Sequence, residues 1–220
     1  MNFYSQFVAD GDLCFDIGAH VGNHMRAFLN LGARVIAVEP QPYMMKFLKI
    51  WYGRNEHATL IEAALGERDG IECLQVSSRT PTISSLSPEW IDKVKETVAF
   101  SSAQWDRLIE VDVITLDSLI KIYGQPSFCK IDAEGYELNI FKGLSRPIRA
   151  VSFEYLPATK EVAIKCVQHL GSLGNYKFNW TAGEVRRFYH NHWVNQQEMT
   201  TYLENLQPDR RSGDVYAQLV

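Results

Sequence analysis

The sequence lacks the features that would place it in a membrane or in an oxidising compartment. No stretch of its 220 residues approaches the ~20 apolar residues that a membrane span needs. Residues 1–12 have no basic start followed by an apolar run, so they do not resemble a secretory signal. The four cysteines form no Cys-x-x-Cys pair, and we expect all of them to be reduced, buried thiols: Cys14, Cys73, Cys129 and Cys166. These absences predict a cytoplasmic protein without a membrane span.

Positive charge is also scarce. The chain has 22 Lys and Arg against 26 Asp and Glu, a formal net charge of −4, and so offers no broad positive field to attract a phosphate backbone. We therefore expect no nucleic-acid partner. Two basic pairs, Arg186-Arg187 and Arg210-Arg211, stand out from this background. We interpret these arginines as solvated surface residues; alternatively, they bind an anionic substrate.

What the sequence does contain is an alternation of short apolar runs and amphipathic stretches. The apolar runs at 13–17, 34–39 and 58–61 predict strands, and helices are predicted after Gly22 and over 43–52. Such alternation favours right-handed βαβ units around a parallel sheet. Further strands are predicted over 110–114, 127–131, 150–154, 176–180 and 214–219, and a helix over 198–206. We expect the last strand to run antiparallel at an edge of the sheet.

One stretch interrupts the alternation. Residues 77–108 are rich in Ser and Thr, contain Pro81 and Pro88, and are too long for an ordinary connection between a strand and a helix. We expect an insertion there that acts as a lid over a site, or else a mobile decoration. Length and a hydrophobic content of 46% otherwise fit a single domain spanning residues 1–220.

The strongest local signal is the pattern Asp16-x-Gly18-x-x-x-Gly22 between the first predicted strand and helix. Glycines there let a ligand approach the backbone, and free N–H groups at a helix start favour an anionic group. Glu39 ends the second predicted strand, where doubly wound folds place a carboxylate for a ribose diol. Together these residues predict a site for a nucleoside with an anionic tail. His20 stands where the Gly-x-Gly-x-x-Gly pattern needs glycine, which argues against NAD or FAD.

A second signal, Lys130-Ile131-Asp132-Ala133-Glu134-Gly135-Tyr136-Glu137, covers the end of the strand predicted over 127–131. Ligands of open α/β sheets gather at the carboxyl ends of strands, so Asp132 and Glu134 should face the same crevice as Gly18. The chain here resembles the FkbM family of S-adenosylmethionine-dependent methyltransferases. The likeness is carried by this block, the loop Phe15 to Asn23, Glu39-Pro40, Ala63-Ala64-Leu65-Gly66, Ser84-Ser85-Leu86 and Thr115 to Leu119.

The resemblance implies a doubly wound, Rossmann-like sheet of seven strands, mostly parallel with an antiparallel last strand. It also implies methyl transfer from S-adenosylmethionine, typically to a hydroxyl of a sugar or natural product. The methionine part of the cofactor would be held by Asp16, Gly18, Ala19, His20, Gly22 and Asn23, with Asp132 beside them, the ribose by Glu39, and the adenine by Pro40, Ala63 and Ala64. The expected acceptor is a small molecule or a glycan.

A hydroxyl acceptor must lose a proton, and a carboxylate within hydrogen-bond reach can take it. Glu134 is the first candidate for this base, followed by Asp132 and Glu154. Alternatively, these acids cap helices, or Asp132 and Glu134 hold Mg²⁺. Because no third potential ligand follows at a spacing typical of metal-binding motifs, we expect these carboxylates to act without a metal.

Two other functions use folds of this class. An oxidoreductase with a nicotinamide dinucleotide predicts a third glycine in a short Gly-x-Gly-x-x-Gly turn, and the chain lacks it. A nucleoside-binding protein without catalysis predicts loss of the loop glycines or of the ribose acid, yet Gly18, Gly22 and Glu39 are all present. The segment Asp132 to Gly135 also differs from the Asn/Asp-Pro-Pro-aromatic tetrapeptide of many DNA and protein amine methyltransferases.

Overall fold

The computed structural model describes residues 3–183, 185, 187–207 and 210–220. Its strands are β1 (Leu13–Ile17), β2 (Arg34–Val38), β3 (Ala58–Ile61), β4 (Ala64–Leu65), β5 (Gly70–Val76), β6 (Arg107–Ile114), β7 (Phe128–Ile131), β8 (Ala150–Tyr155), β9 (Tyr176–Trp180) and β10 (Gly213–Leu219). Its α-helices are α1 (Asn23–Leu29), α2 (Pro42–Tyr52), α3 (Pro88–Lys95), α4 (Leu116–Tyr123), α5 (Glu137–Lys142), α6 (Lys160–Leu173) and α7 (Gln196–Glu204). Short 3₁₀ helices lie at Phe3–Gln6, Pro81–Ile83, Val98–Phe100 and Pro157–Thr159.

Across the described residues the main sheet has seven strands in the order β3-β2-β1-β7-β8-β10-β9. The strands from β3 to β8 in this order run parallel, and β10 runs antiparallel to both of its neighbours. The predicted seven-stranded, mostly parallel sheet with an antiparallel last strand is confirmed. The edge position expected for that strand is wrong, because β10 lies between β8 and β9. Val215, Tyr216 and Ala217 are all buried, as an inner strand with both faces covered requires.

Helices cover both faces of the main sheet because side chains along a strand alternate between its two sides. Phe15 of β1 joins a hydrophobic cluster to which α4, α5, α6 and α7 contribute. Its neighbour Cys14 joins a second cluster, formed with α1, α2 and the N-terminal 3₁₀ helix. The fold is therefore doubly wound, and the carboxyl ends of the parallel strands remain free to carry a site.

A separate sheet of three strands, in the order β4-β6-β5, was not predicted. The strand expected over 110–114 exists as part of β6, but β6 pairs with β4 and β5 and not with the main sheet. Val111 and Val113 are buried while Asp112 is exposed, the alternation of a sheet with one face in solvent. Cys73 lies on the exposed side of β5, so the expectation that all four cysteines are buried is wrong for this residue.

The predicted insertion, residues 77–108, contains α3 and two of the 3₁₀ helices and runs into β6. Ser87 caps α3, since its Oγ accepts a hydrogen bond from Trp90 N at 3.2 Å. Trp90, Ile91 and Val94 form a small hydrophobic cluster of their own. Within the described residues, no helix is long and apolar enough to cross a membrane.

Candidate functional site

The carboxyl ends of β1, β2 and β7 open onto a cavity of about 390 Å³, a volume typical of small-molecule sites. We call it the first cavity. Most residues predicted to bind the cofactor line it: Gly18, Ala19, His20, Asn23, Glu39, Pro40, Ala63, Ala64 and Asp132. The three acids proposed for catalysis, Asp132, Glu134 and Glu154, line it as well. Asp16 and Gly22 do not reach its wall.

Asp16 lies behind the cavity wall with only 1% of its surface exposed. Its Oδ2 accepts a hydrogen bond from Met25 N at 2.8 Å, so the carboxylate holds the start of α1. Burial raises the pKa of Asp16 to about 7, against the opposing charge of Lys130. The sequence predicted an anionic ligand at this helix start, but the structure gives one of its N–H groups to the chain's own Asp16. Oδ1 has no hydrogen-bond partner within the described residues.

Gly18 adopts a φ of 76°, and a Cβ added to it would overlap the carbonyl oxygen of Asp132. The close crossing of the loops after β1 and β7 therefore requires glycine, whatever ligand the cavity holds. Gly18 N and Ala19 N both donate to the carbonyl oxygen of Val38, at 2.9 and 3.0 Å. These bonds tie the glycine loop to the end of β2.

Glu39 ends β2 with 2% of its surface exposed. Its Oε2 accepts a hydrogen bond from His20 N at 2.8 Å, and its Oε1 accepts one from Gln41 N at 2.9 Å. Burial raises the pKa of Glu39 to about 7. Each oxygen keeps a further lone pair for a ligand hydroxyl. Glu39 thus shapes the loop around it in addition to lining the cavity.

Sequence reasoning missed part of the cavity wall, which comes from the insertion and from the residue before α2. Gln41 Nε2 donates to the carbonyl oxygen of Pro81 at 3.1 Å, and Ser84 Oγ donates to Gln41 Oε1 at 3.2 Å. Pro81, Ser84 and Leu86 line the cavity. The Ser-Ser-Leu triplet at 84–86 was the available signal, but no spacing rule connects it to the loop after β2.

Asp132, Glu134 and Glu154 converge where β7 and β8 end, and we call them the acid cluster. One carboxylate oxygen from each lies within 4.8 Å of those of the other two. Burial, followed by repulsion from neighbouring carboxylates, raises the pKa of Glu134 and of Glu154 well above the usual range. Three such oxygens can bind a hard cation such as Mg²⁺, or the two glutamates can share a proton.

The backbone beside the acid cluster is tightly constrained. Glu134 has a φ of 49°, which is uncommon for a residue with a side chain, and its carbonyl oxygen accepts a hydrogen bond from Ser85 Oγ at 2.7 Å. Gly135 has a φ of 88°, and a Cβ there would overlap the indole ring of Trp90. Glu137 Oε1 accepts hydrogen bonds from Ala133 N and Gly135 N, at 3.0 and 3.2 Å. The insertion and the loop after β7 therefore support one another.

Lys130 brings a buried positive charge to the acid cluster. Its side chain is 1% exposed, and its Nζ lies 3.3 Å from Asp132 Oδ2 and 3.0 Å from Asp214 Oδ1. Burial disfavours the charged lysine, but Asp132 and Asp214 outweigh that cost, and the pKa of Lys130 is raised. Sequence reasoning assigned no role to Lys130, because its partner Asp214 lies far along the chain on β10.

A second cavity, of about 670 Å³, adjoins the first at the acid cluster. The two cavities share His24, Asp132 and Glu154 as lining residues. Nδ1 of His24 lies 2.8 Å from the hydroxyl oxygen of Tyr4. The acid cluster therefore stands where the two cavities meet, and groups bound in each would approach one another there.

Comparison with known proteins identifies the family. Residues 16–206 match the family model of the methyltransferase FkbM domain. The chain belongs to the FkbM family of S-adenosylmethionine-dependent methyltransferases. The predicted membership is confirmed. No curated protein matches the chain in sequence.

Three of the solved structures that resemble this FkbM methyltransferase are the following. Precorrin-6Y C5,15-methyltransferase of Geobacter metallireducens is 16% identical, with 99% of this chain and 85% of that chain covered and a TM-score of 0.51. An rRNA methylase of Streptococcus thermophilus is 10% identical, with 99% and 92% covered and a TM-score of 0.48. Fibrillarin of Aeropyrum pernix, with S-adenosyl-L-methionine bound, is 12% identical, with 96% and 68% covered and a TM-score of 0.47. The first of these supports the Rossmann-like fold.

As an FkbM methyltransferase, the chain is a methyl-transfer enzyme and not the nicotinamide-dependent oxidoreductase kept as an alternative. That the chain has no nucleic-acid partner stays a prediction. Its support is the net negative charge and the lack of the Asn/Asp-Pro-Pro-aromatic tetrapeptide at Asp132 to Gly135.

Proposed function

We propose that this FkbM methyltransferase transfers the methyl group of S-adenosylmethionine to a hydroxyl group of a small-molecule or glycan acceptor. The observation that carries the proposal is the position of the acid cluster at the junction of two cavities. One cavity takes the cofactor and the other takes the acceptor. Alignment of the two reactants from opposite sides suits an in-line displacement, for which positioning supplies much of the acceleration.

The chemistry of the first cavity fits the cofactor. Glu39 offers free lone pairs to the ribose hydroxyls, and the negative charge of Asp132 suits the cationic methionine part. Further contacts would come from Gly18, Ala19, His20 and Asn23 around the methionine part, and from Pro40, Ala63 and Ala64 around the adenine, with Asp16 and Gly22 supporting the loop from behind. When bound, S-adenosylmethionine supplies a methyl carbon on a sulfonium, whose sulfur keeps the electron pair of the bond that breaks.

The proton of the acceptor hydroxyl passes to the acid cluster. Burial and repulsion from neighbouring carboxylates raise the pKa of Glu134 and of Glu154, so the two glutamates can share a proton. A carboxylate of raised pKa is a stronger base towards a hydroxyl than an ordinary one. We assign the pair of Glu134 and Glu154 as the base: Glu154 lines the second cavity and faces the acceptor hydroxyl, and Glu134, which lines the first cavity, shares the proton with it. The carboxylate of Asp132, which is held by its ion pair with Lys130, adds a negative charge beside the two glutamates.

Residues 77–108 form a lid within a single domain. The support is that Pro81, Ser84 and Leu86 complete the wall of the first cavity, and that Ser85 is bonded to the Glu134 carbonyl oxygen. A lid over the cofactor excludes water from the reacting groups.

The four cysteines are free thiols, which agrees with action in the reducing cytoplasm.

The experiment combines binding with product analysis. Calorimetry of the purified chain should show binding of S-adenosylhomocysteine and none of NAD. Methyl-labelled S-adenosylmethionine is then incubated with sugars and polyols, and with matched amines and thiols. Label in methyl ethers is the expected result, and it should be lost in Glu134→Gln but kept in Glu110→Gln, whose side chain is exposed on β6. Label on nitrogen or sulfur alone would overturn the assignment of a hydroxyl acceptor.

A further inference from the structure

Two arginines line the second cavity near the start of β10. Arg210 and Arg211 are exposed, and neither forms an ion pair within the described residues. Because the chain carries a net negative charge, two adjacent guanidinium groups on the wall of one cavity form a local concentration of positive charge. Of the other basic pair, Arg187 does not line the cavity and Arg186 lies outside the described residues.

The backbone fixes the place of these arginines. Gly213 passes so close to the end of β9 that a Cβ would overlap the carbonyl oxygen of Thr181. Gly183 N donates to the carbonyl oxygen of Ser212 at 2.6 Å, directly beside Arg211. The Cδ of Arg211 would lie 3.6 Å from a Cβ built on Gly183, so the arginine stem crosses a residue that has no side chain. The crossing of the two strand ends therefore holds the stem of Arg211 at the cavity, with Arg210 next to it in the chain.

The second cavity has acidic side chains at one end and basic side chains at the other. Asp132 and Glu154, which also line the first cavity, form the inner end of the second cavity together with Asp214, and all three are more shielded from solvent than the exposed arginines. Phe100, Leu156 and Pro157 contribute apolar wall. A ligand with one anionic group would be repelled from the inner end and attracted to the outer end, which fixes its orientation. A neutral hydroxyl, by contrast, can donate a hydrogen bond to the inner carboxylates.

We infer that the acceptor is a hydroxylated acid, carrying a carboxylate or a phosphate, whose acidic group binds Arg210 and Arg211 while its hydroxyl faces Glu154 and Asp132. The inference rests on the proposed function for the reaction and adds the chemical class of the acceptor. A cavity of about 670 Å³ lies within the range of sites for small ligands, which fits a small acid. Guanidinium groups bind carboxylate and phosphate in the same forked geometry.

The test measures binding separately from activity. Saturation-transfer NMR on the chain, in the presence of S-adenosylhomocysteine, compares three probes: glucose, glucuronic acid and glucose 6-phosphate. Both acids should bind about tenfold or more tightly than glucose, as charge-assisted hydrogen bonds predict. Arg210→Gln/Arg211→Gln should remove that preference, whereas the exposed Arg54→Gln, away from both cavities, should keep it. Equal thermal unfolding of the variants controls for folding, and the ranking of the two acids separates a carboxylate ligand from a phosphate ligand.

Each result bears on the inference. A preference for acids that persists in the double variant, or no binding of either acid, would overturn it. Tighter, arginine-dependent binding of a single-stranded RNA oligonucleotide than of the small acids would also overturn it, in favour of a polymer. Loss of the inference is distinct from loss of the proposed function, because the latter would show as failure to bind S-adenosylhomocysteine or to form methyl ethers with any hydroxyl compound, neutral or acidic.

Discussion

Lys130 Nζ and Asp214 Oδ1 lie 3.0 Å apart and join two strands that are not neighbours, because β8 runs between β7 and β10. Lys130 also pairs with Asp132 of the acid cluster. One buried cation thus connects the antiparallel part of the sheet to the end of β7, where the proposed chemistry takes place.

Replacing that cation should destabilise the fold strongly. Lys130→Met leaves Asp132 and Asp214 without their partner, and losing one member of a buried ion pair costs about 3–5 kcal/mol of unfolding free energy. Urea denaturation measures the change. The control is Lys49→Met, which removes an exposed pair with Glu62 and should cost less than about 1 kcal/mol. Equal effects of the two substitutions would mean that the Lys130 pairs contribute no more than a surface pair.

Glu39→Ala should weaken cofactor binding and also lower stability. The ribose hydroxyls lose a charged acceptor worth about 1.5–3 kcal/mol, or roughly a tenfold to hundredfold loss in affinity. Because His20 N and Gln41 N lose their acceptor as well, the free energy of unfolding should fall. Calorimetry with S-adenosylhomocysteine and urea denaturation separate the two effects. Glu56→Gln, on the surface, serves as control. Normal affinity in Glu39→Ala would place the ribose elsewhere.

Glu134→Gln should cut turnover by ~10²–10⁴ while cofactor affinity stays within a few-fold, which is the usual effect of losing a positioned base. A chelator distinguishes the base from a cation held by the acid cluster. If the cluster acts without a metal, EDTA leaves the activity of the unchanged chain as it was; loss of activity that Mg²⁺ restores would assign the cluster to a cation. Full activity in Glu134→Gln would leave Glu154 as the next residue to replace.

The unfolding free energy of the cofactor-free chain should fall as pH rises from about 4.5 to about 7. Burial raises the pKa of Asp16, Glu39 and Glu137 to about 7, so the folded chain binds more protons than the unfolded chain in that window. Each such group contributes a slope of about 1.4 kcal/mol per pH unit. The lowered pKa of Asp12 and of Asp106 acts below this window, whereas burial lowers the pKa of His20 and offsets part of the decline within it.

Glu137→Gln tests the sign of this dependence. The amide oxygen can still accept from Ala133 N and Gly135 N, but it no longer binds a proton on folding. The decline in stability between pH 5 and pH 7 should therefore become shallower by about one group's share. Urea denaturation across that range gives the slope, with Glu56→Gln as the matched surface control. Stability that increases with pH over this window in the unchanged chain would contradict the assigned shifts.

The parts of the fold that the sequence predicted are those in which local pattern decides the outcome. β1 and α1 followed from an apolar run, a glycine loop and a helical spacing. The membership of β6 in a second sheet could not be predicted, because pairing partners depend on contacts between distant segments. The same holds for β10, whose apolar residues indicate a strand but not which strands flank it.

The candidate site shows the same division. Loop glycines and strand-end acids identified Gly18, Glu39, Asp132 and Glu134, since each lies next to a recognisable strand end. The contacts of Ser85 and of Asp214 lie beyond sequence reasoning, because they join segments that only the folded chain brings together. Asp16 is a different case. The motif indicated this residue, but the sequence does not tell whether its carboxylate faces the ligand or holds the start of the helix from behind, as the structure shows.

The packing of the Trp90 ring against Gly135 limits how this enzyme can be re-engineered. An exchange of the insertion for one from a relative, as a route to a new acceptor, would remove the ring that covers the loop carrying Glu134. A chimera with a smaller residue in place of Trp90 would leave a gap over Gly135. A chimera with any side chain in place of Gly135 would clash with the ring. Transplants should therefore carry the aromatic ring and the glycine together, as one unit.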